Sequence, residues 1–445
     1  MDILSLIPSF GGFVWTLVAF IVALSIIVAV HEYGHYIVAR WSGIDAEVFS
    51  IGFGPVLMSR TDRRGTKWQV AALPFGGFVK FKGDANAASA KDGAALTGLS
   101  DEELRSTMHG APVWARSATV AAGPAFNFML SILLFAGFFL WQGIAIDEPV
   151  VGTVKAMPGF ETALMPGDRI LAVDGRDTPD FETFGTVTEA LEPVTPVSYR
   201  VQRGADVLTF DGPFPFPPVV DSVQPTSAAM QVGLMAGDVI LSVDGTPVTA
   251  FAELREAVGA SGGAPLDLTV WRAGDVFDVS LEPRRMDIPL SEGGFETRWL
   301  IGLTGGLAFV PETRTPGVFE AIGLGAQQTW SAITMTVSGL GHMITGAIST
   351  CNLSGPLTIA ETSGAAATLG LASFLWFIAM LSTAVGFANL LPVPVLDGGH
   401  LVFHAFEAVT GRPPSDKALR ILMAVGLVLI LSLMVFALSN DIFCP

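Results

Sequence analysis

The chain has 445 residues, of which 51% are hydrophobic and only 15% are charged, and its formal net charge is −17. So few charges are atypical of a soluble protein of this length and indicate membrane segments. The acidic balance argues against nucleic-acid binding, which needs a basic surface. Two cysteines, Cys351 and Cys444, are too few for a disulfide framework, and the sequence leaves open whether they pair.

The first predicted element is a membrane helix that ends in a metal-binding motif. Residues 9–30 contain no charged side chain, and these 22 residues can cross a hydrocarbon core of about 30 Å. His31 and His35 follow at i, i+4 spacing, so a helix places both imidazoles on one face, where they can share a metal ion. Glu32 lies beside that face and is a candidate general base for a water molecule. The motif indicates a hydrolytic metal centre at or inside a membrane.

The next stretch, residues 43–112, is predicted to be a membrane-associated loop with β-hairpin structure. Apolar and polar residues alternate over residues 47–81 around an arginine-rich turn. A sheet edge beside the metal motif could hold a substrate in extended form. An ordinary cytoplasmic loop is the alternative, and the Ala/Gly-rich residues 85–98 are predicted to be mobile.

Three further windows, residues 117–146, 362–396 and 421–440, lack charged side chains and are long enough to span a bilayer. The predicted fold class is therefore a multi-span α-helical membrane protein with four transmembrane helices. Residues 40–116 carry 10 basic side chains, whereas residues 147–285 carry 9 basic and 21 acidic ones. By the positive-inside rule, the first of these stretches faces the cytoplasm and the acidic block lies outside.

The outer block contains an internal repeat. MPGDRILAVDG at 165–175 and MAGDVILSVDG at 235–245 match at a period of 70 residues, and each is followed by a helical stretch and a further strand. Two tandem α+β domains of this order resemble PDZ domains, which bind peptide C-termini or extended peptides at a sheet edge. The first copy is shorter before its Gly-Asp turn, where residues 227–234 of the second have room for a helical turn. Generic β-rich spacers are the alternative.

The repeats are followed by a linker, in which residues 316–349 are predicted to form an amphipathic helix on the outer surface. The predicted organisation in chain order is a first transmembrane helix (1–42), the hairpin loop (43–112), a second transmembrane helix (113–146), PDZ domain 1 (147–216), PDZ domain 2 (217–286), the linker (287–361), a third transmembrane segment (362–411) and a fourth transmembrane helix (412–445).

A third metal ligand is predicted in NLLPVPVLDGGH, residues 389–400. Pro392 and Pro394 disfavour continuous helix, and unwound backbone at membrane depth is tolerated only against protein or a water-filled cavity. Asp397 would present its carboxylate into such a cavity and complete a three-ligand site with the two histidines. His400 is the rival ligand, and the His₂-carboxylate set suits several divalent metals.

Together these motifs resemble the site-2 protease family of intramembrane zinc metalloproteases. The resemblance covers essentially the whole chain and rests on HExxH, the tandem repeats, GPAFNF at 123–128 and NxxPxPxLDGGH at 389–400. It implies one Zn²⁺ per chain and assigns roles to two further groups of residues besides the metal site. The implied zinc ligands are His31, His35 and Asp397 with Glu32 as general base; the implied substrate-binding residues are Asn389, Pro392 and Pro394, with Asn389 in unwound backbone; and Gly123, Pro124 and Asn127 pack the second helix on the catalytic core.

The same resemblance implies a function. It implies cleavage of single-span membrane proteins, such as an anti-sigma factor or remnant signal peptides, near the cytoplasmic boundary of the bacterial inner membrane. The PDZ pair would lie in the periplasm and exclude substrates with bulky outer domains. Two alternatives remain, a catalytically inert PDZ scaffold in the membrane and a metal transporter. Unchanged function after Glu32→Gln would favour the scaffold, and zinc content without peptide cleavage would favour the transporter.

Overall fold

The computed structural model describes residues 6–84, 97–159, 164–290 and 294–444. It consists of two compact units. The helical unit comprises Met1–Phe138, Val318–Gly341 and Leu353–Cys444, and the repeat unit comprises Phe139–Gly317 and His342–Asn352. The stretch predicted to be mobile, residues 85–98, lies almost wholly outside the described residues.

The elements are numbered along the chain. The helices are α1 (Leu6–Trp41), α2 (Asp101–Arg105), α3 (Val113–Gln142), α4 (Phe181–Glu189), α5 (Ala228–Gln231), α6 (Phe251–Ala260), α7 (Val318–Ile344), α8 (Pro356–Thr368), α9 (Leu371–Leu390), α10 (Asp397–Thr410) and α11 (Asp416–Phe443). The strands are β1 (Ala46–Thr61), β2 (Lys67–Phe81), β3 (Ile144–Ala145), β4 (Val151–Val154), β5 (Arg169–Val173), β6 (Arg176–Asp177), β7 (Val197–Arg203), β8 (Asp206–Gly212), β9 (Val220–Val223), β10 (Val239–Val243), β11 (Thr246–Pro247), β12 (Leu266–Arg272), β13 (Asp275–Leu281), β14 (Arg284–Pro289), β15 (Phe295–Leu300), β16 (Leu303–Gly305), β17 (Phe309–Pro311) and β18 (Thr313–Arg314).

Four helices within the described residues are long and apolar enough to cross a membrane. A span needs about 20 apolar residues, and each of the four helices provides them. The count of four confirms the prediction from the four uncharged windows. The metal motif lies inside α1, which continues unbroken to Trp41. The candidate spans are Gly12–Trp41, Val113–Gln142, Leu371–Leu390 and Lys417–Phe443.

The uncharged window at residues 362–396 is not one continuous helix. Its first residues belong to α8, which ends at Thr368, and α9 starts at Leu371. Gly370 between them has φ of +117°, a conformation that side-chain-bearing residues rarely adopt, and this glycine separates the two helices. The candidate span is therefore α9 alone.

Small and hydroxyl side chains bring α3 and α9 into close contact. A Cβ on Gly386 would lie 3.1 Å from Cβ of Asn127, so the two backbones approach closely at this point. The Ser131 hydroxyl donates to the Ala379 carbonyl at 2.7 Å, and the Ser382 hydroxyl donates to the Asn127 carbonyl at 2.9 Å. These contacts fix the depth of α9 against α3.

The helix predicted over residues 316–349 is α7, and it contacts α3 through small residues. Ala321, Gly325 and Thr329 are buried at one-turn spacing. A Cβ on Gly325 would lie 2.4 Å from the Ile132 carbonyl oxygen of α3. A glycine is therefore needed for this approach of α7 to a candidate span.

The loop between α1 and α3 forms a β-hairpin with bent strands. The first half of β1 pairs with both ends of β2, so the strand segments run in the order 56–61, 67–71, 46–51 and 77–81. Gly52 and Gly76, which both have positive φ, lie at the bends. Segment 77–81 is one edge of this sheet.

The repeat unit contains two four-stranded sheets of the same topology, β6-β5-β7-β8 and β11-β10-β12-β13. In each copy an arginine binds both oxygens of a buried aspartate in the Gly-Asp turn. Arg203 lies 2.7 Å from both oxygens of Asp168, and Arg272 lies 2.6 and 2.7 Å from the oxygens of Asp238. The two aspartates are 70 residues apart and the two arginines 69, so the ion pair recurs with the sequence repeat to within one residue.

Three short strands after the second sheet complete both copies. β16 pairs with β9 of the second copy, whereas β17 pairs with β4 and β18 with β3 at the first. Phe309 of β17 is fully buried in the core of the first copy. The first copy is therefore completed by residues that follow the second in sequence.

The helical turn predicted within residues 227–234 is α5, capped by Ser227, whose hydroxyl accepts from the Met230 N–H. The corresponding place in the first copy includes residues 160–163, which lie outside the described residues.

Candidate metal centre

Two histidine rings meet on one face of α1. The helix is continuous through His31 and His35, so their i, i+4 spacing brings the Nε2 atoms to 3.1 Å from each other. Their side chains are only 11% and 12% exposed. The two rings thus form a buried pair of nitrogen donors.

The third donor comes from the segment that follows α9. Leu391, which precedes Pro392, is extended with φ −63° and ψ 143°, because a proline disfavours helix at the residue before it. The chain remains non-helical up to Leu396, which occupies the N-cap position of α10 without a side-chain hydrogen bond, and Asp397 is the first residue of that helix. The Asp397 Oδ2 atom lies 3.2 Å from His31 Nε2 and 3.4 Å from His35 Nε2.

The two glycines after Asp397 make this tight turn possible. A Cβ on Gly398 would lie 2.3 Å from the Leu390 carbonyl oxygen, and one on Gly399 would lie 2.3 Å from the Val393 carbonyl oxygen. Any side chain at either position would therefore push the start of α10 away from the end of α9.

The three donor atoms fit a zinc ion. Tetrahedral ligands with Zn–N and Zn–O bonds of about 2.0–2.1 Å lie about 3.3 Å apart. The observed separations of 3.1, 3.2 and 3.4 Å agree with this value. Among the described residues Asp397 Oδ2 is buried without a hydrogen-bond partner, as expected of an oxygen directed at a metal. Three protein ligands also leave the fourth position open, which is typical of catalytic zinc.

α3 orients His35 through its backbone. The Nδ1–H of His35 donates to the Thr119 carbonyl oxygen at 2.8 Å, which leaves the lone pair of Nε2 directed at the other two donors. Sequence reasoning did not identify Thr119, and it had no signal to use because any residue type can supply a carbonyl oxygen.

α3 also reaches His31, through Asn127. The Asn127 Nδ2 atom lies 3.1 Å from His31 Nδ1, and Oδ1 of the same amide is buried without a partner among the described residues. Turning the amide by half a rotation would let Oδ1 accept the Nδ1–H and leave Nε2 for a metal. The resemblance implied only packing for Asn127, whereas its position suits a role in orienting a ligand.

Gly123 lies between these two contacts and directly against the rings. A Cβ there would lie 2.3 Å from His35 Nε2 and 2.8 Å from His31 Cε1. Pro124, the next residue, is buried inside α3, where its ring leaves one backbone hydrogen bond unmade. The GPAFNF motif thus lets α3 pass close to the donor atoms.

Glu32 lies between the histidine pair and the hairpin. The Val79 N–H donates a hydrogen bond to its carboxylate, which interacts electrostatically with both histidines and Asp397. A Cβ on Gly77 would lie 3.2 Å from Glu32 Cγ. The edge segment 77–81 therefore runs beside the candidate general base.

Asn389 is not in unwound backbone, contrary to the expectation from the sequence. It occupies the last turn of α9, where its Nδ2 donates to the Val385 carbonyl oxygen at 3.1 Å. The unwinding effect of Pro392 reaches only the residue before it, so the helix persists to Leu390. Pro392 and Pro394 lie in the non-helical connection.

The other histidines lie outside the three-residue group. His400, the rival ligand, contacts the ring of Phe403 and is not among the residues whose donor atoms converge. His109 lies 3.1 Å from the buried carboxylate of Asp84. The described part of the chain thus contains one group of at least three convergent potential ligands, made of His31, His35 and Asp397.

Known proteins resemble the chain over nearly its full length. The family model for peptidase family M50 matches residues 19–433. The regulator of sigma-E protease RseP of Escherichia coli is 35% identical over 461 residues, covering 97% of this chain and 99% of that protein. A protein of Agrobacterium fabrum named as a zinc metalloprotease is 36% identical over 434 residues, covering 96% and 95%. The solved PDZ domain of the SdrC-like protein from Listeria monocytogenes matches 20% of this chain and 84% of its own at 22% identity, with a TM-score of 0.17.

Proposed function

This chain belongs to peptidase family M50 and is a zinc metalloprotease, and from that premise we propose that it cleaves single-span membrane proteins within or near the cytoplasmic boundary of the membrane. The observation that carries the proposal is the convergence of His31, His35 and Asp397, with Glu32 alongside, on a helix that can cross a membrane. Few activities other than intramembrane proteolysis need a hydrolytic centre in that place.

The residues of the centre have different roles in the proposed peptide hydrolysis. His31, His35 and Asp397 would hold zinc, which would supply a Lewis acid for the scissile carbonyl and lower the pKa of a water molecule to about 7. Glu32 accepts a proton from the attacking water and then donates it to the leaving amine. The hydrogen bond from Val79 holds the Glu32 carboxylate in place for both transfers.

We further propose that the substrate is bound in extended form along the edge segment 77–81. A transmembrane helix shields its carbonyl groups with its own hydrogen bonds, so the substrate has to unwind before attack. A sheet edge can replace some of the lost backbone hydrogen bonds by adding the substrate as a strand. The N–H groups of Val79 and Phe81 are not available for this, because they bind Glu32 and, at 3.1 Å, Asp84 Oδ2. Asn389 in the last turn of α9 and Pro392 and Pro394 in the connection to α10 are proposed to hold the opposite face of the substrate. Helix-weakening residues in a substrate should speed its cleavage.

The orientation in the membrane is proposed from charge and from the cysteines. The basic residues between the first two spans favour the cytoplasm for the hairpin and the metal centre. Cys351 and Cys444 are both disulfide-bonded, and disulfides persist in oxidising compartments such as the bacterial periplasm. The proposed location is the bacterial inner membrane, with the repeat unit on the periplasmic side.

The likeness to RseP suggests the substrate class. We propose an anti-sigma-factor-like protein already shortened outside the membrane, with remnant signal peptides as a second group. The two repeats would act as PDZ domains that exclude substrates with large outer domains. The alternative of an inert scaffold is disfavoured because the metal ligands and the candidate base all lie together.

The test is cleavage of a tagged single-span substrate lacking its outer domain by the purified protein, by Glu32→Gln and by Glu102→Gln. Glu102 is an exposed residue of α2, so its variant is a matched control for the loss of a carboxylate. General-base catalysis contributes about 10²- to 10⁴-fold to a reaction rate. The Glu32→Gln variant should therefore cleave the substrate at least about 10²-fold more slowly than the wild type while it still binds zinc. Equal cleavage by wild type and Glu32→Gln would contradict the assignment.

A further inference from the structure

A bidentate ion pair joins α3 to α10 outside the metal centre. Arg116 Nη2 lies 2.7 Å from Glu407 Oε1, and Arg116 Nη1 lies 3.0 Å from Glu407 Oε2. The two side chains are only 14% and 16% exposed, although the residues are 291 positions apart in sequence. Paired, parallel hydrogen bonds of this kind fix the relative orientation of both groups as well as their distance.

The guanidinium of Arg116 is also fixed at its own end. Its Nε donates to the Ala111 carbonyl oxygen at 2.9 Å, in the turn that leads into α3. Each of the three nitrogen atoms of the guanidinium group therefore donates a hydrogen bond to a partner. A lysine has the charge but not this planar arrangement of donors.

The two helices that the pair joins hold different parts of the metal centre. α3 contacts the histidines, through the Thr119 carbonyl and the Asn127 side chain. α10 begins with Asp397, and Glu407 lies ten residues further along, which is roughly 15 Å along the helix axis. The start of α10 follows a non-helical connection, so this connection alone does not fix the direction of the helix.

We propose that Arg116 and Glu407 are positioning residues that hold Asp397 at its distance from the two histidines and thereby set the affinity for zinc. The ion pair fixes the far end of α10 on the same helix that orients the histidines. Loss of the pair lets α10 pivot, and a ligand displaced by a fraction of an ångström binds the metal more weakly. The proposal rests on the ligand assignment made above.

The test is a double-mutant cycle on the zinc dissociation constant, measured by competition with a fluorescent chelator on full-length, monodisperse protein. Arg116→Gln and Glu407→Gln should each weaken zinc binding about tenfold, the lower end of the loss seen when groups bonded directly to metal ligands are removed, because this pair acts on Asp397 only through α10. The double variant should lose no more than either single variant. Arg116→Lys, which keeps the charge and is the least disruptive change, should fall in between. At saturating zinc kcat should recover, with KM unchanged throughout.

Two further variants make the result decisive. Lys155→Gln breaks an ion pair of 2.7 Å with Asp221 in the repeat unit and should leave the zinc affinity unchanged. Asp397→Ala should lose zinc binding altogether. Suppose that Asp397→Ala loses zinc while the Arg116 and Glu407 variants bind it like the wild type. The positioning role is then overturned even if their thermal stability is lowered, and the ligand assignment stands. If Asp397→Ala also binds like the wild type, the ligand assignment falls with it.

Discussion

Gly123 shows how little space surrounds the two histidine rings. The residue types of the centre were predicted from their spacing, because HExxH and LDG place side chains with characteristic chemistry. The packing of α3 on the centre was implied only by the family resemblance, through Gly123, Pro124 and Asn127, since a missing side chain has no chemical signature of its own. Thr119 acts through its carbonyl oxygen and was not predicted either, because every residue type has that group.

Gly123→Ala should impair the metal centre while the helix persists. Its Cβ would lie 2.3 Å from His35 Nε2, so either the ring or α3 has to move. We expect a loss of zinc affinity of about tenfold or more, by analogy with other disturbances of ligand orientation, and a matching loss of cleavage. Zinc competition and substrate cleavage are the measurements.

Gly137→Ala is the control for that substitution. Gly137 lies in the same helix, and nothing lies within 4 Å of the position where its Cβ would be. Alanine there should be neutral or slightly stabilising, since it has the higher helix propensity. If both alanine variants behave alike, crowding at the rings is not what Gly123 prevents.

At the scale of elements, the uncharged windows predicted the four spans but not where the helices are interrupted. Hydropathy does not detect a break such as that at Gly370, because the break depends on the backbone conformation of one residue. The resemblance likewise implied that Asn389 lies in unwound chain, but Pro392 disfavours helix only at the residue before it, so α9 continues through Asn389 to Leu390.

The start of α8 depends on a carboxylate from α11. Asp441 accepts hydrogen bonds from the N–H groups of Gly355 at 2.7 Å and Leu357 at 2.9 Å, and from the Thr358 hydroxyl at 2.7 Å. These N–H groups have no partner within the helix, and the negative charge also favours this end of it. Asp441 thus caps a helix to which it does not belong in sequence.

Asp441→Ala should therefore lower the thermal stability of the protein. Loss of an N-terminal cap costs about 0.5–2 kcal/mol. Asp441→Asn keeps one acceptor oxygen and should lose less than alanine. The measurement is the midpoint of thermal unfolding in detergent at fixed zinc, and an alanine variant as stable as the wild type would show that water replaces the cap.

At the scale of the whole molecule, the charge distribution predicts opposite sides for the hairpin and the cysteines. A membrane-impermeant thiol reagent should label reduced Cys351 and Cys444 from the periplasm. Arg63→Cys, in a chain whose two cysteines are replaced by serine, should react only after the inner membrane is opened. Labelling of Arg63→Cys in sealed spheroplasts would reverse the proposed orientation.

The two tandem copies could be predicted from the 70-residue period. The strands β16, β17 and β18, which complete the copies, could not. The Gly-Asp turns recur at fixed spacing, and the paired Asp168–Arg203 and Asp238–Arg272 contacts follow that repeat. The strands that complete the two copies are two or three residues long and pair with partners far away in sequence. Strands that short have too few residues to show a period.

The pairing of β17 with β4 has a consequence for biogenesis. The first copy cannot bury Phe309, or finish its structure, when its own last strand β8 leaves the ribosome. About 100 further residues must be synthesised first, which takes about 5 to 20 s at ordinary translation rates. In the proposed orientation the nascent domain is still incomplete when it enters the periplasm, so its maturation is timed by the synthesis of its neighbour, and periplasmic chaperones would have a defined interval in which to act.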